Sequence, residues 1–295
     1  MFGSGKTTPV DEYQARGEIE RVYHEIRQVM RVNGVNLNFR TWAAHGDFLP
    51  ALWDALQPNV RTLAFERGAD ALRAGAARAA AALPWPDRDP ALPLGESQCF
   101  QIGAALDLYH YINPKLLLFT AAAQLALAGE TVGGVADGDT TVLRRGIPGT
   151  MYPMEMVEAE PEDARLKALF EDIQQTLSLP AVNSDYRTLA LWPDYLADAW
   201  RRLKPLVARP DYRECCDRLR EQALAEARRL PHRLDFSVEV VADHGEDPKA
   251  MAALTGRFMA LLPGLIIHMA LILRDWRSPE TLTESPFPAR TGGAP

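Results

Sequence analysis

A carboxylate and an amide occupy equivalent positions in two related stretches of this chain. Residues 35–41 recur with changes as residues 182–188, at a spacing of 147 positions. Asn38 of the first stretch is replaced by Asp185 in the second. One copy thus carries a carboxylate where the other carries an amide.

Asn113 shows a second difference of the same kind. It precedes Pro114, and the alignment places Leu262 at the equivalent position, at a spacing of 149. The first copy thus carries an amide where the second carries an apolar side chain. Positions that are alike in both copies serve the fold, whereas polar positions that differ are candidates for chemistry.

The two stretches belong to a longer internal repeat. Residues 22–84 align without a gap on residues 169–231, and 20 of the 63 pairs are identical. Helical spacing of apolar residues runs through both copies, which predicts an all-α fold of two pseudo-symmetric repeats with a site between them. The predicted organisation is a first helical repeat, a linker, a second helical repeat and a disordered tail, over residues 15–128, 129–162, 163–276 and 277–295.

Local signals divide the repeats into helices. Asn36 suits the N-cap of a helix. A long helix is predicted from residue 97 to 112 and should be broken or kinked at Asn113 and Pro114, because proline removes a backbone hydrogen bond. Residues 140–143 suit a short strand, and residues 232–244 fit a strand or a helix.

Composition excludes several classes of function. The net charge of −7 gives no basic surface for nucleic acid. The six histidines and three cysteines lack metal-ligand spacing, so we predict no metal and no cofactor. The apolar run at residues 259–273 is too short for a bilayer and indicates a buried helix, so no membrane partner is expected. The few cysteines and a polar first segment favour the cytoplasm.

The combination of these features resembles the group I 2-haloacid dehalogenases over about residues 15–276. The resemblance rests on the duplicated helical layout, on Ser184 and Asp185 at the start of a helix, and on Asn113 before a late helix. Thr62 and Glu66 add a Thr-x-x-x-Glu pair like the one in that family. The resemblance implies cofactor-independent hydrolysis of short 2-haloalkanoic acids of either hand, in a homodimer.

The family chemistry implies a role for each candidate residue. Water held by Asn113 and deprotonated by Asp185 would attack the halogen-bearing carbon directly, giving an inverted 2-hydroxy acid without a covalent ester. Backbone N–H groups near residues 36–38 and 183–184 would bind the substrate carboxylate. Ser184 and Asn38 are further candidates for contact with the substrate, and Thr62 and Glu66 are a possible supporting pair. The candidates for an apolar slot that holds the halide are Val35, Leu37, Phe39, Trp42, Tyr109 and Leu116.

Two alternatives remain open. The family has aromatic side chains near the positions of residues 35–38, where this chain has Asn38, so a relative of the same fold could act on a different small carboxylic acid. A non-catalytic helical binding protein is the other alternative, in which Asp185 is a first-turn acid that interacts with the helix dipole. The enzyme hypothesis requires Asp185 and Asn113 to converge on one buried site.

Overall fold

The computed structural model describes residues 8–135 and 138–291. Eleven α-helices and one 3₁₀ turn make up the regular structure of this part, and it has no strand, so the all-α prediction is confirmed. The helices are α1 Gly17–Val29, α2 Leu37–Trp42, α3 Phe48–Val60, α4 Leu63–Ala82, α5 Glu96–Leu127, α6 Ala164–Leu177, α7 Ser184–Leu189, α8 Pro193–Val207, α9 Pro210–Arg228, α10 Val238–Asp243 and α11 Pro248–Leu273, and the 3₁₀ turn is Thr281–Thr283.

Contacts recur at the spacing of the predicted repeat. The Trp53 indole N–H donates to Glu25, and the Trp200 indole N–H donates to Asp172, both over 2.8 Å. The residues after α1 and α6 also match, because Arg31 and Ser178 both adopt a left-handed backbone, with φ of 62° and 52°. These pairs are what a duplication would leave. The repeat itself stays a prediction, as do its boundaries.

Helices α5 and α11 form the centre of the fold. The buried residues of α5 lie on all its sides from Ile102 onward, which is typical of a helix surrounded by protein. By length and composition α11 could cross a membrane, because it begins at Pro248 and so extends well beyond the apolar run seen in the sequence. However, 67% of its most apolar window is buried within the fold. It therefore serves as a core helix, as predicted.

Of the two alternatives at Pro114, a break is wrong, because α5 continues through this residue, and a kink stays a prediction. Proline has no N–H and leaves the carbonyl four residues earlier, that of His110, without its helical donor. The Nε atom of Arg73, on α4, donates to this carbonyl over 3.0 Å. A buried arginine thus replaces the missing hydrogen bond.

The predicted disordered tail is wrong for residues 277–291, and residues 292–295 lie outside the described part. Arg277 forms two hydrogen bonds with Asp107, and the Phe287 ring packs edge-on against Tyr111 at 5.3 Å. The carbonyl of Leu282 lies 2.8 Å from Nε2 of His110. The content of proline, threonine and glycine predicted disorder, but three contacts with the rest of the protein hold this segment in place.

The structure also decides two short segments: the strand predicted at residues 140–143 is wrong, and the helix alternative for residues 232–244 is confirmed. Residues 140–143 form isolated bridges, Thr62 with Val142 and Leu143 with Thr291, instead of a strand. Within residues 232–244 the structure has the helix α10, which begins after Ser237. The Ser237 hydroxyl accepts from the Val240 N–H, which caps this helix.

Candidate functional site

Asp185 and Asn113 meet in the interior of the protein. Asp185 lies in the first turn of α7 and Asn113 in the middle of α5, and both side chains are buried. The Nδ2 atom of Asn113 donates to Oδ1 of Asp185 over 2.6 Å. An amide has a second N–H and a carbonyl, so this bond leaves Asn113 capacity to hold a water molecule.

Burial raises the pKa of Asp185 from its usual 3.8 to about 6. Loss of solvation disfavours the charged carboxylate, and hydrogen bonds from Asn113, from its own backbone and from Ser184 oppose that effect in part. A carboxylate with this pKa is a stronger base than a solvated one and is still ionised at neutral pH. Both properties suit a general base.

Side chains of the second turn fix the position of α7. The Thr188 hydroxyl donates to the Glu155 carbonyl over 2.7 Å, so it accepts from the Tyr109 hydroxyl, also at 2.7 Å. Hydrogen bonding to Ser184 and Thr188 lowers the pKa of Tyr109, but burial dominates and raises it overall. Tyr109, predicted to line the halide slot, therefore lies beside the helix that carries the base.

The other residues of the predicted slot divide into two groups. Phe39 and Trp42 pack in an aromatic cluster of the first repeat, and both contact Phe119, at 5.1 and 5.9 Å between ring centroids. Val35 and Leu116 are also buried, whereas Leu37 is half-buried. The cluster gives Phe39 and Trp42 a packing role, and their contact with a halide stays a prediction.

Asparagines of the two helix starts have unused hydrogen-bonding atoms within the described protein. Both side-chain polar atoms of Asn38 lack a protein partner although the residue is buried. Asn36 and Asn183 occupy the predicted N-cap positions, but neither side chain makes the capping bond. Buried polar atoms are normally satisfied, which supports the prediction that Asn38 contacts a polar ligand.

Thr62 and Glu66 make contacts that stabilise the structure. The Thr62 hydroxyl caps α4 by accepting from the Phe65 N–H. Glu66 is buried and forms an ion pair with the buried Lys115, with Oε2 and Nζ 2.7 Å apart. Burial outweighs this attraction and lowers the pKa of Lys115 to about 8. The pair thus anchors α5 two residues beyond Asn113, and the supporting role of Thr62 and Glu66 at the site stays a prediction.

The linker passes over the starts of both short helices. Val157 exchanges hydrogen bonds with Arg187 over 3.1 and 2.8 Å, and the Asn33 amide donates to the Tyr152 carbonyl. A cavity of about 610 Å³ lies beside this segment, with Gly34 and Glu155 in its lining. Glu155 also accepts from Thr188, so one residue joins the cavity to α7.

Comparison with known proteins places this chain in a family. The profile of the family described as halocarboxylic acid dehydrogenase DehI matches residues 34–186, just over half of the chain. A configuration-inverting 2-haloacid dehalogenase of Pseudomonas sp. (strain 113) is 31% identical, over 94% of each chain. The chain belongs to the DehI family.

Other members extend the likeness to nearly the whole chain. An (R)-2-haloacid dehalogenase of Pseudomonas putida is 29% identical, over 88% of this chain and 90% of its own length. The structure of a D-2-haloacid dehalogenase in complex with L-LA has a TM-score of 0.86 and 27% identity, over 93% of this chain and 98% of that one. The fold is therefore that of the DehI family throughout.

No group of three or more metal-ligating side chains occurs within residues 8–135 and 138–291.

Sequence reasoning missed a buried polar group beside Asp185, formed by Tyr186, His268 and Tyr212. The sequence did contain a signal for this group, because the alignment pairs these residues with Phe39, Phe119 and Phe65, which are apolar. The rule that singled out Asp185, a polar residue at an unequal position, applies to all three.

Proposed function

We propose that this protein hydrolyses short 2-haloalkanoic acids to 2-hydroxy acids, with Asp185 as the general base. It is a hydrolase that acts on carbon–halide bonds and inverts configuration, as members of its family do. The observation that carries the residue assignment is the buried hydrogen bond between Asp185 and Asn113. It brings a base and a water-holding amide from the two repeats into one place.

The proposed reaction is a single displacement. The oxygen of a water molecule held by Asn113 bonds to C2 of the substrate while the carbon–halogen bond breaks and halide leaves with the electron pair. Asp185 takes the proton from the water, and attack opposite to the leaving halide inverts C2. No bond forms between substrate and protein, so Asp185 returns to its ionised form by losing one proton to solvent.

The hand of the substrate is a finer proposal. Two relatives are named for the (R) isomer, which supports turnover of that isomer here. We propose that the (S) isomer is accepted as well, since the resemblance to group I enzymes implies it. A water held by protein side chains, and not by the substrate, does not by itself select one hand.

Halide release from separate (R)- and (S)-2-chloropropionate tests both the proposed activity and the acceptance of each isomer. We expect halide and lactate of inverted configuration from each isomer, with product hand measured by chiral chromatography. Release from (R) alone would overturn the finer proposal and keep the activity. Release from neither, with turnover of a non-halogenated acid in a substrate panel, would replace it with the alternative of another small-acid substrate.

The pH dependence should follow the ionisation of Asp185. The base works only as a carboxylate, and its pKa is about 6. We therefore expect kcat/KM to fall about tenfold per pH unit below pH 6 and to level off above it. The substrate carboxyl, acidified by the halogen, stays ionised over this range. A profile that is flat from pH 5 to 8 would contradict the assignment of Asp185 as the base.

The surroundings of the enzyme give a further expectation. We propose a homodimer in the cytoplasm, with a small halogenated acid and water as reaction partners and without nucleic acid, membrane or cofactor. The three cysteines Cys99, Cys215 and Cys216 are free thiols, which supports a reducing compartment. Light scattering coupled to size exclusion will measure the mass, and a monomer at micromolar concentration would overturn the dimer.

A further inference from the structure

A hydrogen-bonded triad of aromatic side chains lies directly behind the proposed base. The Tyr186 hydroxyl is 2.6 Å from Nδ1 of His268, and the Tyr212 hydroxyl is 2.7 Å from Nε2 of the same ring. All three residues are buried, and they come from α7, α11 and α9 respectively. Tyr186 is the next residue after Asp185, so the triad connects the helix of the base to two long helices.

The first repeat builds the same place without polar atoms. The residues aligned with the triad are Phe39, Phe119 and Phe65, at spacings of 147, 149 and 147. Phe39 and Phe119 meet edge-to-face with ring centroids 5.1 Å apart, so an apolar version packs well. Packing alone therefore does not require the two hydroxyls and the imidazole. They occur in the repeat that carries Asp185.

The chain also makes room for the triad. A Cβ atom at Gly264 would lie 2.6 Å from the Tyr212 hydroxyl, so only glycine lets this oxygen approach α11. His268 lies one helical turn beyond Gly264, which places its ring in reach of the same oxygen. The missing side chain in the interior of a buried helix costs about 1 kcal/mol relative to alanine. The hydrogen bond of Tyr212 explains why glycine occupies position 264.

Proton positions within the triad are tightly constrained. Burial lowers the pKa of His268 to about 3, so the ring is neutral at working pH and has one donor nitrogen and one acceptor nitrogen. One tyrosine must donate to the ring and the other must accept from it. Each ring is thereby held in orientation by a directional bond in addition to packing.

Short helices depend on such external restraints. An isolated helix of six residues, the length of α7, is far below the length that is stable in water. We infer that the Tyr186–His268–Tyr212 triad is a positioning device that holds α7 so that the Asp185 carboxylate stays against Asn113. This inference rests on the proposed function. In the proposed reaction the triad acts through α7 and not on the substrate or the water, so its residues are positioning residues.

The device should act mainly on the chemical step. Tyr186→Phe keeps the ring and removes one hydroxyl, and we expect kcat to fall roughly ten- to a hundredfold, as for a misplacement of about 1 Å. We expect KM to change less than kcat, because Ser184 moves with α7 whereas the proposed contacts at Asn38 and in the apolar slot lie on other elements. Tyr23→Phe is the matched control, since it removes a buried hydroxyl that donates to the Val10 carbonyl in the first repeat. That control should lose stability without losing kcat.

A triple variant separates positioning from simple structural support. Tyr186→Phe, His268→Phe and Tyr212→Phe together install the residues of the first repeat, and no polar atom of the triad is then left without a partner. We expect unfolding in urea to show regained stability relative to Tyr186→Phe, whereas kcat stays low. Wild-type kcat in Tyr186→Phe or in the folded triple variant would overturn the inference.

A readout without turnover keeps this test distinct from the test of the proposed function. Carboxyl ¹³C NMR, assigned with Asp185→Asn, can follow the ionisation of Asp185 in protein without substrate. We expect Tyr186→Phe to shift the midpoint of this titration, whereas Tyr23→Phe leaves it unchanged. Failure of halide release in the wild-type protein would reject the function only, and an unchanged midpoint in Tyr186→Phe would reject the positioning role.

Discussion

Asp185→Asn is expected to abolish turnover and, above about pH 6, to make the protein more stable. An amide cannot take the proton from water, so kcat should fall about 10²- to 10⁴-fold, the usual contribution of a general base. The new amide keeps the shape of the carboxyl group and an oxygen that can accept from Asn113. Loss of activity with an intact fold would therefore mark the missing base.

The gain in stability follows from linkage. Folding raises the pKa of Asp185 from 3.8 to about 6, so the folded state binds this proton more tightly than the unfolded state. The resulting stabilisation is complete below pH 3.8 and is lost as the pH rises through about 6. A shift of this size corresponds to about 3 kcal/mol. The buried charge has this cost at pH 8, and Asp185→Asn should remove it.

Urea unfolding at pH 8 and at pH 4.5 measures the effect. We expect a higher midpoint for Asp185→Asn at pH 8 and a much smaller difference at pH 4.5. Asp194→Asn is the control, because that side chain is 63% exposed and pairs with the exposed Arg165. It should change the midpoint little at either pH. A less stable Asp185→Asn at pH 8, or one with wild-type kcat, would contradict the assignment.

Lys115→Met is expected to destabilise the protein by about 3–5 kcal/mol, the cost of leaving one charge of a buried pair alone. Nζ of Lys115 lies 2.7 Å from Glu66, 2.5 Å from the Tyr111 hydroxyl and 3.1 Å from the Met30 carbonyl. Methionine has a similar length and removes the cation. Glu66 would then retain Arg31 at 3.7 Å, too far for a strong bond.

The double variant Lys115→Met with Glu66→Gln tests this reason. It removes both charges, so we expect it to recover most of the stability lost by Lys115→Met alone in urea unfolding. Arg165→Met is a control, because its ion pair with Asp194 is exposed on both sides. A double variant that is as unstable as the sum of the two single variants would show that the pair is not the source of the loss.

The sequence was sufficient to predict the fold class and the pairing of Asp185 with Asn113. The fold class followed from the helical spacing of apolar residues, and the two polar candidates followed from unequal positions in the aligned stretches. Tyr186, His268 and Tyr212 also differ from the residues aligned with them, so the sequence carries the same signal for these three. An alignment shows which positions differ, but it does not show which of them meet in the fold.

Other features depend on contacts between distant segments. Glu66 was expected as a support, but its partner Lys115 is 49 positions away and carries no signal of that pairing. The helical path through Pro114 depends on Arg73, which replaces the lost donor. The order of residues 277–291 depends on partners such as Asp107. In each case a contact in the tertiary structure outweighs the local preference of the sequence.

The anchored C-terminal segment has a consequence for synthesis in the cell. Arg31 donates to the carbonyls of Phe287 and Pro288, which follow it by about 260 positions. At 5–20 residues per second, the ribosome adds that length in roughly 10–50 s. During this time the first repeat lacks the chain that covers Arg31 and Tyr111. The nascent protein therefore completes this buried cluster only after that interval, and a chaperone that binds the unfinished chain has this surface available until then.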